Sequence, residues 1–137
     1  MHYLEAEFAA AKAAPLSARK ARLVAMLIDA YADRLFAAGR GGEDVLEFRA
    51  VLATRAPALA AVFAVAADKA QLVTEAIEVP LSDYPTLDIA DFMVCLYNNH
   101  TVQRVRIALP DGTRLPAHET LAEAIDALRE LSAEAPS

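Results

Sequence analysis

Two amides (Asn98, Asn99), an imidazole (His100), a phenol (Tyr97) and two guanidinium groups (Arg104, Arg106) fall within the ten residues from Tyr97 to Arg106. No other stretch of the chain gathers several different polar groups so closely, and converging polar groups are what a site requires. On a strand, Arg104 and Arg106 would project from one face about 7 Å apart, a spacing suited to an anionic ligand or an acidic partner surface. His100 at the strand entrance could donate, accept or titrate near neutral pH. Asn98 and Asn99 could orient a ligand through their amides. A structural alternative stands beside this one: the asparagines end a helix or make a turn, and the arginines pair with Glu75, Glu78 or helix carboxylates. The candidate ligand- or partner-binding set is therefore Tyr97, Asn98, Asn99, His100, Arg104 and Arg106, with no catalytic residue assigned.

Other signatures of chemistry are missing. Gly39-Arg40-Gly41-Gly42 is followed by acidic residues rather than by Lys-Ser/Thr, so it reads as a helix break and not as a phosphate loop. His118-Glu119 begins like a zinc-protease motif, but Ala122 stands where the second histidine would be. Three histidines and one cysteine, spread along the chain, do not suggest a metal centre. No Gly-x-Ser-x-Gly elbow occurs. The carboxylate pairs Asp88/Asp91 and Glu75/Glu78 are more simply a helix start and an exposed strand face than an acid–base pair. Cys95 lies in the apolar run Phe92-Met93-Val94-Cys95-Leu96 with no neighbouring cation to activate it, and is expected to be a buried, inert thiol. No cofactor, no metal and no catalytic activity are expected.

Composition narrows the partners. With 137 residues and a hydrophobic fraction of 56%, one domain can bury an ample core. The longest apolar run, Ala56 to Ala67, contains Pro57 and is far short of the roughly 20 residues of a membrane span. The start His2-Tyr3-Leu4-Glu5 has no basic region before an apolar stretch, so no signal peptide is expected, and Asn99-His100-Thr101 matches a glycosylation sequon by chance. A single cysteine fits a reduced, cytoplasmic setting. The net charge of -6 is uneven: residues 1–70 hold nine Lys/Arg against eight Asp/Glu, residues 71–137 four against eleven. Only Lys12, Arg19, Lys20 and Arg22 could form a basic patch, read here as a solvated helix start, so nucleic acid is not an expected partner.

The elements that must position these residues fall into two parts. Tyr3–Ala14 reads as a helix stopped by Pro15. Ser17 then caps a longer helix with Leu23, Met26, Leu27, Tyr31 and Leu35 on its apolar side, widened by Val24, Ile28 and Phe36, and ended by Gly39 in a left-handed conformation. Asp44 with Glu47 resembles a capping box ahead of Val45, Leu46, Phe48, Val51 and Leu52, and Pro57 suits the first turn of the next helix, with Leu59, Val62, Phe63 and Ala66 at helical spacing. Beyond Asp68 the pattern changes. Leu72–Val79 is read as a strand, with a continued helix as the alternative. Asp88–Asn98 is read as a helix with Ile89, Phe92, Met93 and Leu96 on its apolar stripe, against a strand ending in an Asn98-Asn99 turn. Val102–Leu109 is a strand with Val105, Ile107 and Leu109 opposite Arg104 and Arg106. Pro110-Asp111-Gly112-Thr113 signals a hairpin, and Thr120 with Glu123 a capping box for a last helix that buries Leu121, Ile125 and Leu128. Ser132–Ser137 is expected to fray.

These readings define a single α+β domain: a helical part over 1–70 packed on a small, mainly antiparallel sheet within 71–131, closed by a C-terminal helix. The expected function is a small protein-interaction or regulatory module, expected as a homo-oligomer that can also take a protein partner. A small-molecule binder of anions, or an enzyme, built on Tyr97–Arg106 is the alternative.

Overall fold

The computed structural model describes residues 1–40 and 44–133. Its elements follow the α+β plan: α1 (His2–Ala13), α2 (Ala18–Leu35), α3 (Val45–Arg55), α4 (Pro57–Ala66), β1 (Gln71–Glu78), α5 (Ile89–Tyr97), β2 (Thr101–Ala108), β3 (Arg114–Pro116) and α6 (Ala117–Ala133). The strands form one antiparallel sheet in the order β1-β2-β3. Residues 71–78 are strand and residues 89–97 helix, so both ambiguous stretches take the form expected from the sequence.

Local chemistry sets the boundaries. Ser17 Oγ accepts from the Lys20 amide at 3.1 Å and starts α2, and Asp44 Oδ1 accepts from the Leu46 amide at 2.9 Å and starts α3. Gly39 takes φ +86° in the wide turn Phe36–Arg40 that ends the α2 run. Gly41 and Gly42, the rest of the expected break, lie outside the described residues. Gly112 adopts φ +91° at the tip of the β2–β3 hairpin, where Asp111 Oδ1 accepts from the Thr113 amide at 2.9 Å. The hydrogen bond to Thr113 holds the Asp111 carboxyl below the usual range.

The main core lies between the helices and one face of the sheet. Ile28 of α2, Leu59, Val62 and Val65 of α4, Val105 and Ile107 of β2, and Leu121, Ile125 and Leu128 of α6 are all buried. Ion pairs tie the helices together at the rim. Arg49 of α3 reaches Asp33 at 2.9 Å and also pairs with Asp29, while its guanidinium lies 4.1 Å from the centre of the Phe63 ring. Arg129 of α6 pairs with Glu5 of α1 at 2.6 Å.

The covered helix faces and the boundaries of the last helix depart from the sequence pattern. The buried side of α2 is Ala21, Val24, Ala25, Ile28, Ala32 and Leu35, whereas Leu23 and Met26 face outward. Alanines let α2 approach its neighbours closely, and close approach outweighs the larger side chains on the adjacent side of the helix. In α3 only Phe48 and Leu52 are buried, and Leu46 and Val51 are exposed. Finally, α6 begins at Ala117, so Thr120 sits inside the first turn and is buried instead of capping, and Ser132 is helical, its hydroxyl 3.2 Å from that of Tyr31. Residues 134–137 of the expected tail lie outside the described residues.

Candidate functional site

The sheet presents different neighbours at its two ends. Cross-strand pairs Leu72–Ile107 and Thr74–Val105 share one face; Val73–Arg106, Glu75–Arg104 and Ile77–Val102 share the other. The first face meets the helical core at its Leu72–Ile107 end, but Ala76 and Gln103, further along, are exposed. On the second face α5 rests against β2 and covers Val102. A separate small core forms there from Val79, Cys95 and Val102, with Tyr84 and Leu87 packed on it.

The α5–β2 corner is held by its own backbone. Asp88 Oδ1 accepts from the Asp91 amide at 2.7 Å and caps α5. After Tyr97 the chain reverses through Asn99 and His100, both left-handed at φ 52° and 63°. A left-handed histidine is strained, and hydrogen bonds on both sides hold it: its amide donates to the Cys95 carbonyl at 3.1 Å, and its carbonyl accepts from the Val79 amide. The His100 ring hydrogen-bonds through Nδ1 to the Tyr84 hydroxyl, and the Tyr84 ring meets Phe92 edge-on at 5.7 Å. Burial pushes the Tyr84 phenol up, with Cys95 adding to the effect. Cys95 itself is buried, its Sγ 3.9 Å from the Thr101 carbonyl.

The candidate segment is thereby divided. Tyr97, Asn98, Asn99 and His100 are exposed at the corner. Arg104 and Arg106 lie further along β2 on the second sheet face, with Arg106 four pairs from the Ile77–Val102 end and next to β3. Arg104 pairs with Asp91 of α5 at 2.7 Å. Arg106 stands 3.9 Å from Glu75, which also lies 3.6 Å from Arg114, and it donates to the Arg114 carbonyl at 3.1 Å. The cross-sheet ion pairs weighed from the sequence are thus present.

What gathers around the arginines comes from elsewhere in the chain. A cavity of about 520 Å³ opens between the end of α1, the start of α5, β2 and the start of α6. Lys12, Asp91, Arg104, Arg106, His118 and Glu119 line it, beside apolar Ile77, Val105 and Pro116. Two of these residues hold a buried nitrogen without a hydrogen-bond partner, Arg106 Nε and His118 Nε2. Burial lowers the His118 pKa most strongly, a hydrogen bond to the Ala11 backbone opposes this, and the Arg104 charge lowers it further. His118 gives no local signal in the sequence beyond an incomplete zinc motif, because the groups that act on it, Ala11 and Arg104, are distant along the chain. A second hollow, of about 600 Å³, is lined by Arg19, Lys20, Arg22, Leu23 and Met26, but Arg22 is already paired with Asp68.

Among the described residues, exposed large apolar side chains concentrate on α5. Ile89 is 84% exposed, Met93 46%, Leu96 53% and Tyr97 81%, with Phe92 and Val94 also exposed; Cys95 is the one buried residue of the helix. The spacing 89–93–96 makes this a continuous stripe facing away from the sheet. Among the described residues no cluster of three metal-binding side chains occurs, and no helix is long and apolar enough to cross a membrane. Compared with known proteins, the chain matches no family model, no curated protein and no solved structure.

Proposed function

We propose that the protein is a small interaction module that acts without catalysis and self-associates through α5. The observation that carries this reading is the α5 stripe, where six large apolar side chains remain exposed on a nine-residue helix. Scattered exposed apolar residues need no explanation, but a contiguous row on one helix marks an interaction surface. A second copy of the chain is the occupant that suits it. The stripe carries no charge: Asp91 is engaged by Arg104, and Asp88 is engaged in capping. Neither acid therefore calls for a basic partner. Two antiparallel α5 helices about a two-fold axis would bring Ile89 of each copy onto Leu96 of the other, with Met93 at the centre.

A cytoplasmic location accompanies this reading, supported by the single buried cysteine, which has no intramolecular partner. Nucleic acid is not a partner in it, because the chain is acidic overall and its described arginines on the sheet are already near carboxylates. Light scattering across a concentration series tests the proposal. A dimer mass at micromolar concentration is expected; a monomer mass throughout, into the high micromolar range, would overturn it.

A further inference from the structure

We infer that the cavity between α1, α5, β2 and α6 binds a small organic anion, a carboxylate or phosphate ester on a compact apolar body, between Lys12 and Arg106. A volume of about 520 Å³ exceeds what a bare inorganic ion would fill and falls in the range of small-molecule sites. Its walls are mixed in the way such a ligand needs, with Ile77, Val105 and Pro116 for an apolar body and cations from two elements for the anionic group.

The charge balance decides the sign of the ligand. Of the acids, Asp91 is held by Arg104 and Asp88 caps α5, which leaves Glu119. Of the cations, Lys12 makes no ion pair among the described residues and lies 4.8 Å from the centre of the Phe8 ring. Arg106 donates to the Arg114 carbonyl at 3.1 Å but reaches a carboxylate only at 3.9 Å, on Glu75, and its Nε is buried without an acceptor. Two loosely engaged cations thus face one free acid. The first turn of α6, Ala117–Glu119, borders the same cavity, and the first amides of a helix have no acceptor within it. His118 adds a proton-linked response. In the free protein its pKa is lowered by burial, against a hydrogen bond to the Ala11 backbone, and further by Arg104; the other charged groups that line the cavity are Lys12, Arg106, Asp88, Asp91 and Glu119. An anion beside it favours the imidazolium, so binding takes up a proton and tightens as pH falls through the range below 6.5.

The test is a titration of the full chain, followed through backbone amide NMR shifts, with benzoate, phenyl phosphate and, as a neutral control, benzyl alcohol. Saturable shifts at Ala117–Glu119 and at Arg106 with one or both anions, absent with benzyl alcohol, are expected; the two anions distinguish a carboxylate from a phosphate site. Lys12→Glu, at an exposed position, should weaken binding about tenfold, and Glu119→Gln should tighten it about twofold. Benzoate, which stays ionised above about pH 5.5, should bind more tightly at pH 5.5 than at 7.5, and His118→Gln should remove that dependence. No saturation by about 50 mM of either anion, equal shifts with benzyl alcohol, or an unchanged affinity in Lys12→Glu would overturn the inference. Arg106→Gln gives a second reading, since its loss of affinity should exceed that of Lys12→Glu if the variant stays folded, and Lys12→Glu decides the question if it does not.

Discussion

The two ends of the β1–β2 ribbon are built from similar residues and held by very different means. At one end, Leu72 and Ile107 join a core shared with α2, α4 and α6, where large side chains such as Ile28, Leu121 and Leu128 are wholly buried. At the other, the opposite sheet face carries α5 over a core of three buried residues, Val79, Cys95 and Val102. The first end gains its stability from area removed from water on every side. The second end leaves most of its apolar surface in water and relies on local polar ties: the Asp88 cap, the Asp91–Arg104 pair and the backbone bonds around His100. An apolar helix held this way leaves its outer surface well presented, which is the basis for proposing an interaction role for α5.

Truncation should separate the two ends most strongly. Leu121→Ala in the large core should destabilise by about 2–5 kcal/mol, whereas Val102→Ala beneath α5 should cost about 1–2 kcal/mol, read from denaturant midpoints. Equal losses would mean that the two cores form one cooperative unit. A smaller effect is expected at the hairpin. Gly112→Val forces a β-branched residue to φ +91° and should cost about 1–2 kcal/mol although nothing lies within 4 Å to clash with a Cβ. An unchanged melting temperature would show that the turn can be rebuilt. Smallest of all, Arg104→Gln removes a half-exposed ion pair and should lower global stability by less than about 1 kcal/mol, while amide exchange in α5 speeds up. If exchange in α5 is unaltered, the pair does not hold the helix down.

Local signals in the sequence proved sufficient for the elements and insufficient for their faces. Asp88 and the apolar spacing through Leu96 identify α5 as a helix, and the Asp111-Gly112 turn identifies the hairpin. Yet the same apolar spacing suggests that Ile89, Phe92, Met93 and Leu96 point inward, and all four are exposed, because a helix apolar all round gives no sign of which side is covered. In α2 the apolar side is rotated toward the alanines for a similar reason: two stripes offset around the helix both fit the helical period, and packing distance chooses between them. The candidate segment illustrates the other difficulty. Proximity in sequence puts His100 and Arg106 in one run, but six residues of extended chain carry them about 20 Å apart, while Lys12 and His118 arrive beside Arg106 from distant helices.

The central claim, that α5 is a self-association surface rather than part of the core, is tested most directly by the double variant Ile89→Glu/Leu96→Glu, compared with the unmodified chain by light scattering and thermal melting. Both positions are more than half exposed, at 84% and 53%, so the charges should meet water in the monomer and each other in the dimer. The account predicts that the variant becomes monomeric at concentrations where the unmodified chain is dimeric, and that its circular dichroism spectrum is unchanged. A variant that retains the dimer mass, or an unmodified chain that is monomeric at the same concentrations, would contradict it.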